Sequence, residues 1–236
     1  GGLLAAVAWF WPFVLYLLVV PLGLMAMAWM PETKAKGKTE ALTYLGEILR
    51  LTRHPRLLVA FCAGFLRFFL DYGFLTYFPL FLVRSHGIST ATAGFLYAFF
   101  SAGAMLTASQ AGRLSAGRDK AGLLFIAFVV SGISLVAVPF LPGVWLVGGA
   151  LFFYGLANGV ISPMQKSLLT QNAPTELRGG IVSFDRFIQQ VSKTLSTSVV
   201  GLLLVMAELS TIFWLLGILS LISVGLMAAL LPKRNN

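Results

Sequence analysis

The chain is 236 residues long, 58% hydrophobic and only 11% charged, with a formal net charge of +9. Soluble domains carry about 25% charged residues, so the composition excludes that class and points to a membrane protein. The single cysteine, Cys62, excludes an intrachain disulfide, a cysteine-based zinc site and a CxxC redox pair.

The opening, Gly1-Gly2-Leu3-Leu4, lacks a basic n-region and is not a signal peptide. It reads as the interior of a helix in a longer protein. A first span is expected over 11–30, with Trp9, Phe10 and Trp11 at one end and Trp29 at the other, as interfacial aromatics are. Residues 31–56 are the one long polar stretch, carrying Lys34, Lys36, Lys38, Arg50, Arg53 and Arg56. Leu42, Leu45, Ile48 and Leu49 recur in it at helical spacing. That segment is either an amphipathic surface helix or a plain linker with a helical turn.

Six further spans of about 20 apolar residues or more follow, over 57–83, 91–111, 121–141, 144–164, 179–207 and 209–231. An outer loop, 84–90, separates the first two. A basic turn, 112–120, follows the second. Pro139 and Pro142 mark an uncharged outer turn, and Lys166 and Arg178 are placed in the next inner loop. Thirteen of the seventeen Lys and Arg residues fall in alternate gaps, and only Arg84 falls in the others. Cationic segments stay cytoplasmic during insertion. Residues 31–56, 112–120, 165–178 and the C-terminus are therefore expected inside the cell. The same placement accounts for the net charge without nucleic acid, and no aromatic-interleaved basic patch of the single-strand-binding kind is present.

The pattern divides the chain into residues 1–30, a cytoplasmic linker over 31–56 and a six-span unit over 57–236. Six spans after a basic linker fit the back part of a twelve-span protein built from two halves, each with nested three-span repeats. Residues 57–141 and 144–231 would be those repeats.

Several strings carry a family resemblance. Pro31-Glu32-Thr33 follows the first span, and Arg53-His54-Pro55-Arg56-Leu57 is similar to an Asn-Pro-x-Leu opening of helix seven. Tyr154-Gly155-Leu156-Ala157-Asn158-Gly159, followed by Pro163, is similar to helix ten. Pro174-Thr175-Glu176-Leu177-Arg178-Gly179 is similar to the Pro-x-x-x-Arg-Gly turn before helix eleven. In this order they resemble the major facilitator superfamily over nearly the whole chain. Gly112-Arg113-Leu114-Ser115 begins like that family's loop motif. Ala116 then stands at its acidic position, and Gly117-Arg118-Asp119-Lys120 follows early. Gly1-Gly2 is similar to the end of the Gly-Pro-x-x-Gly-Gly motif of drug/proton antiporters. The resemblance implies an all-α polytopic membrane protein, with a six-helix half bundle plus one preceding helix. It implies a fragment of a twelve-helix transporter whose partners are the missing N-terminal half, the lipid bilayer, a small-molecule substrate and a proton, with no cofactor and no nucleic acid. It also implies the plasma (inner) membrane and alternating access around a midplane cavity.

Charges within spans cost about 2.5–3.5 kcal/mol at the bilayer centre on insertion scales, so they are the first site candidates. Arg67 and Asp71 share a helix face at i and i+4, roughly 15 and 21 Å from the inner end by helical rise. Asp71 is either a protonatable group in the transport cavity or half of a permanent ion pair. Asp185, Gln189 and Lys193 form one polar stripe with Thr197. Asp185 and Arg186 are expected to be shallow and to reach the interface. Lys193 lies roughly 21 Å in, and either lines the cavity or pairs with an acidic group elsewhere. Asn158, between Gly155 and Gly159, is a substrate ligand or helix–helix glue. Tyr72 and Phe74, with Phe68, Phe69 and Tyr77, suit an apolar ligand or face lipid and neighbouring helices. Gly112, Arg113, Arg118, Asp119 and Lys120 are the loop-motif candidates.

No nucleophile–base set is visible, His54 and His86 fall on opposite sides of the membrane, and no phosphate-cradling loop is present. The reading is therefore a transporter and not an enzyme, exporting small amphipathic compounds with proton coupling. The alternatives are uptake of a small metabolite or organic anion held by Arg67 and Lys193, or a non-transporting receptor or scaffold of the same fold. Residues 1–236 alone are expected to insert without transporting. In a Cys62→Ala background, single cysteines at Lys36 and Ser89 should be labelled from opposite faces of the membrane. Labelling of both from one face would overturn the topology.

Overall fold

The computed structural model describes residues 10, 14, 17, 19–29, 46–48, 50–51 and 54–230. The chain divides into two units, 1–43 and 44–236. In the first, α1 covers Val19–Trp29 and exposes its side chains throughout. Its 11 residues are an apolar piece of the span expected over 11–30, most of whose remainder lies outside the described residues. The opening stub and most of the expected surface helix also lie outside them.

The second unit is a helix bundle: α2 (Pro55–Leu75), α3 (Phe78–His86), α4 (Thr90–Ser109), α5 (Ala111–Ser115), α6 (Lys120–Ala137), α7 (Val144–Gln171), α8 (Arg178–Leu203) and α9 (Leu209–Leu230). Short 3-10 turns occupy Val138–Phe140 and Thr175–Leu177. No strand occurs among the described residues. Local chemistry sets the boundaries. Pro55 opens α2, where its missing N–H costs nothing. The Ser89 hydroxyl caps α4 by accepting from Thr92 N at 3.2 Å, and Asp119 caps α6 by accepting from Ala121 N at 3.2 Å. Gly87, at φ 63°, ends α3 in the left-handed conformation that glycine tolerates best. Pro79 cannot donate to the carbonyl one turn back, and the helix breaks between Leu75 and Phe78.

Among the described residues, five helical runs are long and apolar enough to cross a membrane: Pro55–His86, Thr92–Ser109, Lys120–Phe140, Val144–Gln171 and Leu209–Leu230. The other expected span corresponds to α8. Its 26 residues reach about 39 Å at helical rise, which is ample length. It falls short on hydropathy because averaging ignores direction. Its polar side is buried through Asp185, Gln189, Ser192 and Ser196, while Phe187, Val191, Leu195 and Leu202 are exposed. Two boundaries also differ from expectation. α7 continues through Pro163 to Gln171, so Lys166 is helical and not in a loop, and Arg178 is the first residue of α8.

Packing centres on α2 and α7. α7 lies against α4, α6 and α2, while α2 also contacts α8 and α9. The α4–α7 crossing is close because its surfaces are small. A Cβ on Gly155 would run into the Phe100 carbonyl, and one on Gly159 into Thr107 and the Ala104 carbonyl. Thr107 Oγ1 donates across the crossing to Leu156 O at 2.8 Å. Gly132 and Gly217 bring α6 and α9 together in the same way, and the Ser220 hydroxyl donates to Phe128 O at 2.9 Å. Gly155→Ala should therefore destabilise the bundle by about 1–3 kcal/mol, the usual penalty of overpacking. Gly149→Ala, where an added Cβ meets nothing within 4 Å, should be silent. Thermal unfolding of the purified protein compares the two, and equal midpoints would refute the packing argument.

Candidate functional site

The polar residues of α2, α7 and α8 meet inside the bundle in two clusters. The first surrounds Asp71, which is 7% exposed. Its Oδ1 accepts from the Tyr154 hydroxyl at 2.7 Å and from Asn158 Nδ2 at 2.9 Å. Its Oδ2 lies 3.7 Å from Arg67 Nε, the one ion pair among the described residues. Arg67 Nε also donates to Asn158 Oδ1 at 2.8 Å. Asn158 therefore bridges the pair, its amide turned to the carboxylate and its carbonyl to the guanidinium. Only a side chain with both a donor and an acceptor does this. Tyr154 is aimed by its neighbours: Phe74 and Phe100 flank its ring at 5.5 and 5.6 Å between centroids.

Beside this cluster, two cations share one aromatic wall. The guanidinium of Arg67 sits 4.9 Å from the Phe68 ring centre. Lys193 Nζ lies 4.8 Å from that of Phe68 and 5.0 Å from that of Tyr72. Such contacts stabilise a desolvated cation by about 2 kcal/mol. Lys193 has no ion-pair partner among the described residues.

The second cluster surrounds Asp185. Asp185 does not reach outward to the interface as expected, for it is 3% exposed. Its neighbour Arg186 turns outward, while Asp185 turns in towards α2 and α7. Gln165 Nε2 donates to Asp185 Oδ1 at 2.9 Å and to Ala60 O at 3.1 Å, and Gln189 Nε2 donates to Asp185 Oδ2 at 2.6 Å. Gly64 leaves the room, since a Cβ there would stand 2.9 Å from Asp185 Oδ1. Further along α8, serines bond to carbonyls of α2: Ser192 to Phe65 O at 2.5 Å, and Ser196 to Phe69 O.

Of the residues singled out in the sequence, the structure brings Arg67, Asp71 and Asn158 together and sets Lys193 over Tyr72. Gln189 belongs to the Asp185 cluster instead. Phe74 faces neighbouring helices and not an open surface. It is fully buried, edge-on to Phe213 at 4.7 Å, and supports Tyr154 from behind. The loop-motif residues stay apart from both clusters. Gly112 and Arg113 lie in α5, Gly117 takes φ 66°, Arg118 is exposed, Asp119 caps α6 and Lys120 Nζ donates to Ser167 Oγ at 2.8 Å. Tyr154 and Gln165 were not singled out. The usable signal was their register with Asn158: positions 154, 158 and 165 share one helix face. Among the described residues, no three His, Cys, Asp or Glu side chains form a metal-binding group.

The Major Facilitator Superfamily model matches residues 1–197. The uncharacterized MFS-type transporter YceJ of Bacillus subtilis is 24% identical over 204 residues, covering 86% of this chain and 52% of that protein. The multidrug resistance protein MdtG of Citrobacter koseri is 27% identical over 88 residues, and that of Salmonella schwarzengrund 28% over 91. Each of these two matches covers 37% of this chain and 22% of the relative. The chain thus spans about half the length of YceJ and less of either MdtG. With its helical bundle, its membrane-length apolar helices and a family match over most of its residues, the chain is an integral membrane protein and belongs to the Major Facilitator Superfamily of transporters.

Proposed function

We propose that this chain supplies the C-terminal six-helix half, the linker and the preceding helix of a proton-coupled exporter of small amphipathic compounds. Asp71 is its coupling carboxylate. The observation that carries the reading is the buried Arg67–Asp71 pair, held between α2 and α7 by the neutral donors of Tyr154 and Asn158. While charged, Asp71 neutralises Arg67 and ties α2 to α7. When it takes a proton, the attraction to Arg67 disappears, and the guanidinium keeps only Asn158 Oδ1 and the Phe68 face. The site then holds one more uncompensated positive charge in a low-dielectric setting, where charge is costly. A proton and a substrate thereby compete through the same contacts, which is what exchange requires.

The exposed aromatic face of Tyr72 beside Phe68 supplies an apolar surface for an amphipathic body. The name of MdtG as a multidrug resistance protein agrees with export. The cation distribution supports a cytoplasmic location for residues 112–120, 165–178 and the C-terminus, in the plasma membrane. One observation favours a second reading, an organic anion as substrate: Lys193 rests on aromatics with no carboxylate partner among the described residues.

In proteoliposomes of the full transporter, Asp71→Asn should abolish proton-driven export while leaving insertion and folding intact. Arg67→Ala should be more damaging than Arg67→Lys. Normal proton-driven flux in well-folded Asp71→Asn protein would eliminate the coupling role. Competition by lipophilic cations against organic anions, with and without a proton gradient, separates the two substrate readings.

A further inference from the structure

The Asp185 cluster has no part in the exchange described above, yet it is built with care around a charge. Both carboxylate oxygens meet amide donors, and the two amides are wired differently. Gln165 commits its two hydrogens to Asp185 Oδ1 and to Ala60 O. It cannot turn over without losing both bonds. Gln189 donates to Asp185 Oδ2, and its own Oε1 accepts from Arg186 Nη1 at 3.3 Å. It can turn over, and only Arg186 resists.

We propose that Asp185 is a second proton-binding site of this transporter half, and that the proton lands on Oδ2. The balance is simple: the carboxylate takes one proton and becomes the neutral acid. An Oδ2–H facing the Gln189 amide would set donor against donor. Gln189 therefore rotates, presents Oε1 to the new hydroxyl and turns Nε2 towards Arg186. Arg186 is a donor as well, so it lets go. One proton thus becomes one amide rotation and one released guanidinium at the bundle surface.

The position suits that role. Gln165 ties α7 to α8 through Asp185, and its other bond, to Ala60 O, reaches α2. Asp185 lies seven residues from the start of α8, about 10 Å by helical rise, and its neighbour Arg186 is exposed. A proton has a short way to travel. The charged groups whose fields reach Asp185 are Arg186 on its own helix, Lys166 on α7 and Arg67 on α2, with no acidic group among them. None is within ion-pair distance, so the amides alone hold the carboxylate. Protonation also turns the Gln165 bond to Oδ1 from charge-assisted into neutral, and so weakens the contact by which this cluster ties α8 to α7.

The test is infrared difference spectroscopy of the full transporter in nanodiscs, taken through acidification. In an Asp71→Asn background, which removes the other buried carboxyl, a protonated-acid carbonyl band should appear, be lost when Asp185→Asn is added, and be shifted in position when Gln189→Met is added. In that background, a band that survives Asp185→Asn, or stays unchanged in Gln189→Met, overturns the site. In a Cys62→Ala background, a cysteine at Ser183 should lose less reactivity on acidification than the same cysteine in Asp185→Asn protein, where only the common fall in thiolate fraction acts. An equal response with and without Asp185 overturns the latch. The spectra read Asp185 without any transport. Failure here with proton-driven export intact leaves the Asp71 reading standing, and the converse result leaves this one.

Discussion

A carboxylate inside an apolar bundle must find donors on other helices, and Asp71 sets the register of α2 against α7 for that reason. Its donors, Tyr154 and Asn158, are four residues apart on α7 and so share one face. The next positions, Gly155 and Gly159, fall about 100° further round and turn to α4. One helix thus carries two different solutions to packing in lipid: polar contact on one side, bare backbone on the other. The two are coupled, because rotating α7 to improve either face would spoil the other.

Lipid provides no hydrophobic force between helices, and the bundle shows what replaces it. The α4–α7 and α6–α9 crossings rest on glycine against backbone, a fit that tolerates no added atom. The α2–α8 contact rests on the hydroxyls of Ser192 and Ser196 instead, and Tyr77, in the turn after α2, adds its bond to Thr197 O at 3.0 Å. Interhelical hydrogen bonds in membranes contribute about 0.6–2 kcal/mol each, and they break and reform one at a time. The bundle is therefore made of stiff pairs with a softer seam along α8. The alternating access expected from the resemblance would call for such a seam, since helices would have to part without unfolding.

How much of this was legible in the sequence depends on geometry. Hydropathy and charge alternation locate elements along the chain, and the spans over 121–141 and 209–231 correspond closely to α6 with its 3-10 turn and to α9. Arg67 and Asp71 stand out because charges in an apolar run are costly. Tyr154 and Gln165 do not, since neither is unusual in a span. Their role shows only once α7 is set against α2 and α8. Asp185 was misjudged because depth along the axis says nothing about direction around it: Arg186 reaches outward, and Asp185, about 100° away, faces the core. Phe74 fails for the same reason. The helical placement of Lys166 depended on Pro163, which α7 accommodates without stopping.

On the proposed reading, the two buried carboxylates would answer a proton in different ways. Asp71 has a fixed cation beside it, so neutralising it changes the electrostatic balance of the site and leaves Arg67 looking for a partner. Asp185 has only amides at bonding distance, so neutralising it changes the direction of a dipole. The first effect acts on whatever charged group enters the site. The second acts on the helix that carries it, because Gln189 and Asp185 both belong to α8 while Gln165 does not. Both clusters draw on α2 and α7, one through Asp71, Tyr154 and Asn158 and the other through Ala60 and Gln165. In that scheme, motion of α8 would be coupled, through the same two helices, to the charge state beside Arg67.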